Sequence, residues 1–168
     1  MNWNKIQVAL KSFFEQGTGL PFLWANESQR LLAKPLGLLS LDNSTVIGQD
    51  MSGYTFRDSN VTLDISGQRL LTVNVQVLSR HSDLAQSARA YLEQARLALK
   101  HPAYQKILEA AGLVFVESHP INDLGFTFSN RKEFRASVDL VFRTRVNYSK
   151  AIQDMQPIDK VQLQEAIA

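Results

Sequence analysis

Residues 134–148 alternate for longer than a domain of this size can hide. Phe134, Ala136, Val138, Leu140, Phe142, Val146 and Tyr148 fall on one parity; Arg135, Ser137, Asp139, Arg143, Arg145 and Asn147 fall on the other, with Val141 and Thr144 as exceptions. A period of two is the signature of a strand with one buried face. As a strand, this segment spans about 50 Å at ~3.3 Å per residue. A single domain of such a chain has a diameter of about 40 Å. The strand must therefore bend at a bulge or project beyond the body, and a projecting, half-polar strand calls for a partner.

The rest of the chain supplies what such a strand can pair with and pack against. Ile6, Leu10, Phe13 and Phe14 recur at helical spacing before Gly17 and Gly19, so a short amphipathic helix is expected over 3–16. The apolar run at 21–26 is too short for a helix and reads as extended. Residues 36–48 read as two short strands or one interrupted strand, broken at Asp42-Asn43-Ser44. From Gly48 to Asn60 the chain is polar and glycine-bearing, which predicts a surface loop or flexible hairpin. After Gly67 a second clean alternation places Arg69, Leu71, Val73, Val75 and Val77 on one face.

Ser82-Asp83 offers an N-cap for a helix carrying Leu84, Ala88, Tyr91, Leu92, Ala95 and Leu99, which His101-Pro102 ends. Pro102 opens a second helix over 103–111, and Gly112 closes it. A short strand follows at 113–116, then a loop over 118–132. The order of elements points to an α+β fold, a mainly antiparallel sheet with helices packed on one face. Residues 1–150 form one domain in this reading, and 151–168 form a C-terminal tail.

Chemistry finds little to use. With no cysteine, thiol catalysis, zinc-thiolate sites and disulfides are excluded. His81-Ser82-Asp83 holds the residue types of a triad, but adjacent side chains diverge, and a strand-to-helix junction explains them better. His101 and His119 each precede a proline and read as turn residues. Glycines occur singly, without a phosphate-cradling loop. Asp50, Asp58 and Asp64 read as solvated loop residues rather than a carboxylate cluster. No enzyme, cofactor or metal is expected, and no stretch approaches the roughly 20 apolar residues of a membrane span.

One charged feature remains. Arg131, Lys132, Arg135, Arg143 and Arg145 oppose Glu133 and Asp139, a local net charge of +3 (five minus two) in a chain whose total is +2. They can touch phosphate without sequence preference. The plainer reading is a solubilising outer face with cross-strand pairs. No aromatic residues interleave with them on the polar face of the strand, which weakens a single-strand-binding reading.

Four segments in series resemble the phage neck terminator, or tail-terminator-like, family. They are Leu23-Trp24-Ala25-Asn26 leading to Ile47-Gly48-Gln49-Asp50; Ser66-Gly67-Gln68-Arg69 running into the alternating strand; the helical pair around His101-Pro102, closing on Ala110-Ala111-Gly112-Leu113; and Pro120-Ile121-Asn122-Asp123-Leu124 before Arg135-Ala136-Ser137-Val138-Asp139-Leu140-Val141-Phe142. Two regions depart from the family pattern. Gln29 to Pro35 holds one proline where members carry a proline-rich stretch, and nothing beyond Lys150 is matched.

The resemblance implies a structural virion protein, assembled in the host cytoplasm. It would form a homo-oligomeric ring, hexameric by that resemblance, at the head-proximal end of the tail. Its partners would be the tail tube, sheath proteins and head-completion proteins, with DNA passing transiently through the lumen. Such a ring needs head-to-tail contacts that close. The expected contact residues are Met51, Tyr54 and Phe56 in the 48–60 segment and Ile152, Met155 and Ile158 in the tail, apolar side chains isolated in polar surroundings. The competing reading is a small nucleic-acid-binding or other interaction module that uses the basic strand 131–145.

Overall fold

The structure, a computed structural model, describes residues 2–26, 34–57, 60–79, 86–128 and 131–152, with backbone alone at 57, 60, 126–128, 131–133 and 152. Among these residues there are three helices, α1 (Trp3–Thr18), α2 (Ala88–Ala98) and α3 (Pro102–Ala110), and seven strands. The strands are β1 (Phe22–Trp24), β2 (Leu36–Arg57), β3 (Asn60–Ser79), β4 (Leu113–Ser118), β5 (Asn122–Asp123), β6 (Phe126–Phe128) and β7 (Arg131–Ile152). Their order across the sheet is β1-β2-β3-β7-β4, with β5 and β6 also paired to β7. Only β1 runs parallel to its neighbour. This is the expected α+β architecture.

The two alternating segments are adjacent strands, and their apolar parities share a face. Val73 lies opposite Leu140, Val75 opposite Val138 and Leu71 opposite Phe142, and all six are fully buried or nearly so. Helix α2 lies over them. Ala88, Leu92, Ala95 and Ala98 form its buried stripe, and three alanines let the helix sit close to the sheet. Helix α1 brings Ile6, Leu10, Phe13 and Phe14 to the same core. Phe14 meets Phe22 of β1 at 5.3 Å between ring centres, and Phe13 meets Tyr104 of α3 edge-on at 6.4 Å.

The opposite face of the body is closed by polar contacts along the sheet. Arg135 donates to Gln76, Gln76 donates to Asn74 at 2.6 Å, and Asn74 donates to Asp139 at 2.6 Å. This chain of cross-strand and same-strand bonds pairs the polar groups of Gln76, Asn74 and Asp139, while Arg135 Nε is buried without a partner.

Several elements differ from their sequence reading, each for a local reason. Helix α1 continues through Gly17 to Thr18 and ends at Gly19, which takes the left-handed conformation. Helix α2 starts at Ala88 with Ser87 as its cap, accepting from the Ala90 N–H, rather than at Ser82-Asp83. Residues 80–85, and with them His81, Ser82, Asp83 and Leu84, lie outside the described residues. His101 caps α3 through Nδ1, and Gly112 follows it at positive φ. Asp42-Asn43-Ser44 is neither a turn nor a break: β2 passes through it with a bulge between Leu41 and Asn43. The segment 118–132 is not simply a loop, since β5 and β6 fall within it and pair with β7.

The largest difference is at 48–60. It is not a loop. Strand β2 runs on to Arg57, and β3 begins at Asn60. Strand β7 is 22 residues long and pairs with β3 from 134 to 152, beyond the 134–148 segment in which its alternation was read. At ~3.3 Å per residue it is about 70 Å long. No register shift interrupts its pairing to β3 from Ser79↔Phe134 to Val61↔Ile152, so the strand projects rather than bends. A three-stranded arm therefore extends roughly 30 Å beyond a body about 40 Å across.

Leu140 sits at the centre of the covered face, fully buried, and its loss leaves a cavity under α2. Leu140→Ala is expected to lower unfolding free energy by about 2–5 kcal/mol in urea titrations. A change under about 0.5 kcal/mol would contradict the packing.

Candidate assembly surface

The bonded register carries each face of the body out along the arm. On the parity that the helices cover, Leu71 is followed outward by Arg69, Gly67, Ile65, Leu63 and Val61. Opposite them on β7 stand Thr144, Val146, Tyr148, Lys150 and Ile152. On β2 the same rows hold Val46 opposite Arg69, Ser52 opposite Ile65, Tyr54 opposite Leu63 and Phe56 opposite Val61. Tyr54, Phe56 and Tyr148 are 53%, 66% and 50% exposed. An apolar sheet face thus continues past the last helix, exposed at Tyr54, Phe56 and Tyr148, half-buried at Leu63, Ile65 and Val146, and buried at Val61, 2% exposed.

The other face of the arm is polar and self-satisfied. Its rows are Met51, Ser66 and Asn147; Gly53, Asp64 and Ser149; and Thr55, Thr62 and Ala151. Asp64 accepts from Thr55 Oγ1 at 2.7 Å and from Ser149 Oγ at 2.5 Å. Asp64 is therefore a structural acceptor rather than a solvated loop carboxylate.

Between body and arm sits one ion pair. Arg69 donates from Nη1 and Nη2 to the two carboxylate oxygens of Asp50, both at 2.6 Å. Asp50 reaches Arg69 because β2 is bulged between Ile47 and Met51, where Gly48 adopts φ +69°, a conformation that favours glycine. Gly67 leaves the space. A Cβ there would lie 1.8 Å from Asp50 Oδ1. The hydrogen bond from Arg69 is the main cause that holds the Asp50 carboxyl below its ordinary value; partial burial opposes it and the guanidinium charge adds to it. The pair closes the end of the core where Leu71 and Phe142 stop and the uncovered rows begin.

The residues singled out in the sequence are sorted by this geometry. Tyr54 and Phe56 share the apolar face, whereas Met51, 76% exposed, belongs to the polar one. Ile152 closes β7 opposite Val61, near the arm's tip, and Met155 and Ile158 lie outside the described residues. Arg135 is half-buried and committed to Gln76. Arg143 and Arg145 are exposed on the face away from the helices, with no ion pair to a described residue. Arg131 and Lys132 lie in the stretch of β7 that pairs with β6.

The sequence reading missed Leu63, Ile65 and the Asp50–Arg69 pair. Val61-Thr62-Leu63-Asp64-Ile65 does alternate, and that signal was available. The pair was not, because a bulge brings its two members together.

Because a lowered carboxyl pKa stabilises above the unfolded value, near 4, and is lost as pH falls through the folded value, the junction is acid-sensitive. Asp50→Asn is expected to loosen the arm at neutral pH, seen as faster amide exchange in 51–56 and 61–67. That difference from the native chain should vanish in strong acid. Gly67→Ala, which displaces the carboxylate, should reproduce the neutral-pH effect; native-like exchange in both variants would show that the pair does not hold the arm.

Among protein families, the chain matches that described as phage neck terminator protein over residues 4–167, nearly its whole length. No curated protein sequence matches it. The match includes the arm, the junction and the segment beyond Ile152. The chain thus belongs to the phage neck terminator protein family, as a structural component of the phage tail and neck that meets other tail and head proteins.

Proposed function

We propose that this chain forms a closed ring of identical copies, six by family resemblance, which ends the tail tube and joins it to the head-completion proteins. Sheath proteins adjoin the ring in this reading, and DNA passes through its lumen. The ring assembles in the host cytoplasm. The observation that carries the proposal is the arm. A roughly 30 Å projection with one apolar face has no use in an isolated domain, since exposed contiguous apolar patches mark interaction surfaces. Burying side chains such as Tyr54 and Phe56 at a neighbour contributes about 1.5–3 kcal/mol each.

The remaining assignments follow the two faces. The side away from the helices, where Arg143 and Arg145 are exposed, faces the lumen. Two arginines per copy interact with passing phosphates without sequence preference and without gripping them. Residues 151–168, with Ile152, Met155 and Ile158, extend the contact from the arm's tip, as a tail on the domain 1–150; Met51 contributes from the arm's polar face. The role is structural, not catalytic: the polar side chains described above serve sheet rows, helix caps and the junction pair.

Tyr54→Asp and Phe56→Asp together are expected to leave the body's stability within about 0.5 kcal/mol, as exposed positions do. The same change should give tails that grow past their natural length and fail to join heads, as seen by electron microscopy. Tails of natural length joined to heads would overturn the reading.

The second reading, a nucleic-acid-binding module, is favoured only by Arg143 and Arg145. If it held, Arg143→Gln with Arg145→Gln would weaken DNA binding and lower its salt slope by about 2, one for each lost phosphate contact.

A further inference from the structure

A second feature elsewhere on the chain matches the arm. Between α1 and α3 lies a groove of about 390 Å³ lined by Val8, Ala9, Ile107, Ala110 and Ala111, with Lys5 at its polar rim. Val8 is 62% exposed there. The groove is open, apolar and large enough for an aromatic ring.

The arm of the same chain cannot fill it. Leu113, two residues after Ala111, pairs with Thr144, which stands opposite Arg69 at the junction. Phe56 stands opposite Val61, eight residues further along β3 and about 26 Å outward. The β3–β7 pairing runs unshifted over those residues, so the arm leads away from its own groove.

We propose that the arm's apolar face docks on a second copy of this chain, with Phe56 seated in that copy's α1–α3 groove and Tyr54 beside it. The inference rests on the ring reading and names its contact. A patch and a complementary groove at different places on one molecule make a head-to-tail interface, the type that closes into a ring after a fixed rotation. The area is of the right order. Ten residues by three strands present about 33 × 14 Å, or roughly 450 Å². This is over half of the ~800 Å² per partner that a stable contact buries, before side-chain relief and the arm's edges are added. The second copy also supplies what α2 supplies in the body, a helical layer over the same sheet face.

The absence of cysteine makes a clean test possible. Chains carrying only Phe56→Cys are mixed with chains carrying only Val8→Cys and exposed to a mild oxidant, both as purified protein over a range of concentrations and within tails. A disulfide requires Cα atoms within about 7 Å, so it reports direct docking. The expected result is a linked dimer in the mixture and in neither chain alone. A chain bearing both substitutions should give a ladder of linked multimers. Met51→Cys, more exposed but on the other face, should give none with Val8→Cys. Tyr54→Cys with Ile107→Cys is the second pair, in case Phe56→Cys disturbs the arm's tip.

If native mass spectrometry shows multimers but neither pair links, or Met51→Cys links equally well, the docking site is wrong while the ring stands. A link from Phe56→Cys to a different tail protein, with none between copies, overturns the second copy as occupant. A chain that stays single at every concentration and in tails overturns the ring reading, and this inference with it.

Discussion

Between Val61 and Ser79, β3 is paired to β7 without a register shift, and everything distinctive about this molecule depends on that continuity. Because strand side chains alternate strictly, an unshifted ladder cannot exchange its faces. The parity that is apolar beneath α2 is still the parity of Ile65, Leu63 and Val61 far outside the body. The helical layer ends and the sheet does not. The result is a sheet face built like a core that continues beyond the helices, with Tyr54, Phe56 and Tyr148 exposed on it.

The third strand of the arm is joined differently. Strand β2 carries two bulges, one within the body between Leu41 and Asn43 and one where body becomes arm, between Ile47 and Met51. Bulges increase local twist and turn an edge strand away from simple edge pairing. The second also delivers Asp50 to Arg69, so one irregularity in the ladder generates the ion pair that seals the core. Gly48 and Gly67 make this possible for different reasons, one through its backbone conformation and the other through the space it leaves.

The two faces divide the work of an assembling subunit. The face with helices, continued by Tyr54, Phe56 and Tyr148, has the composition of a protein contact. The other is tiled with cross-strand hydrogen bonds from Arg135 to Asp139 in the body and around Asp64 in the arm, and it suits water. Paired polar rows offer few free groups to a ligand, and Arg143 and Arg145 are the exposed cations on this face of β7 among the described residues. A face of this kind can line a channel without binding tightly to what passes through it.

Alternation along 134–148 and 69–77 was enough to place Leu140, Phe142, Val73 and Val75 in one core beneath a helix, because a period of two fixes the side on which each residue lies. Single residues at helix ends, Gly112 and Pro102, marked α3 for the same local reason. The four-segment resemblance to the neck terminator family was likewise legible in the chain alone. Three things were decided only by the tertiary structure. The polar, glycine-bearing 48–60 segment reads as a loop until β3 pairs with it from Met51↔Ser66 to Arg57↔Asn60, in a hairpin whose inner strand is in turn held by the distant β7. Met51 separates from Tyr54 and Phe56 by parity once 51–57 is strand, and the bulge between Ile47 and Met51 decides which set joins the face that the helices cover; a bulge leaves no unambiguous mark in composition. Asp50 and Arg69, nineteen positions apart, meet only when two strands are bonded in one register. Local periodicity says which side a residue faces, whereas pairing between distant segments decides what lies opposite it and where the covered face ends.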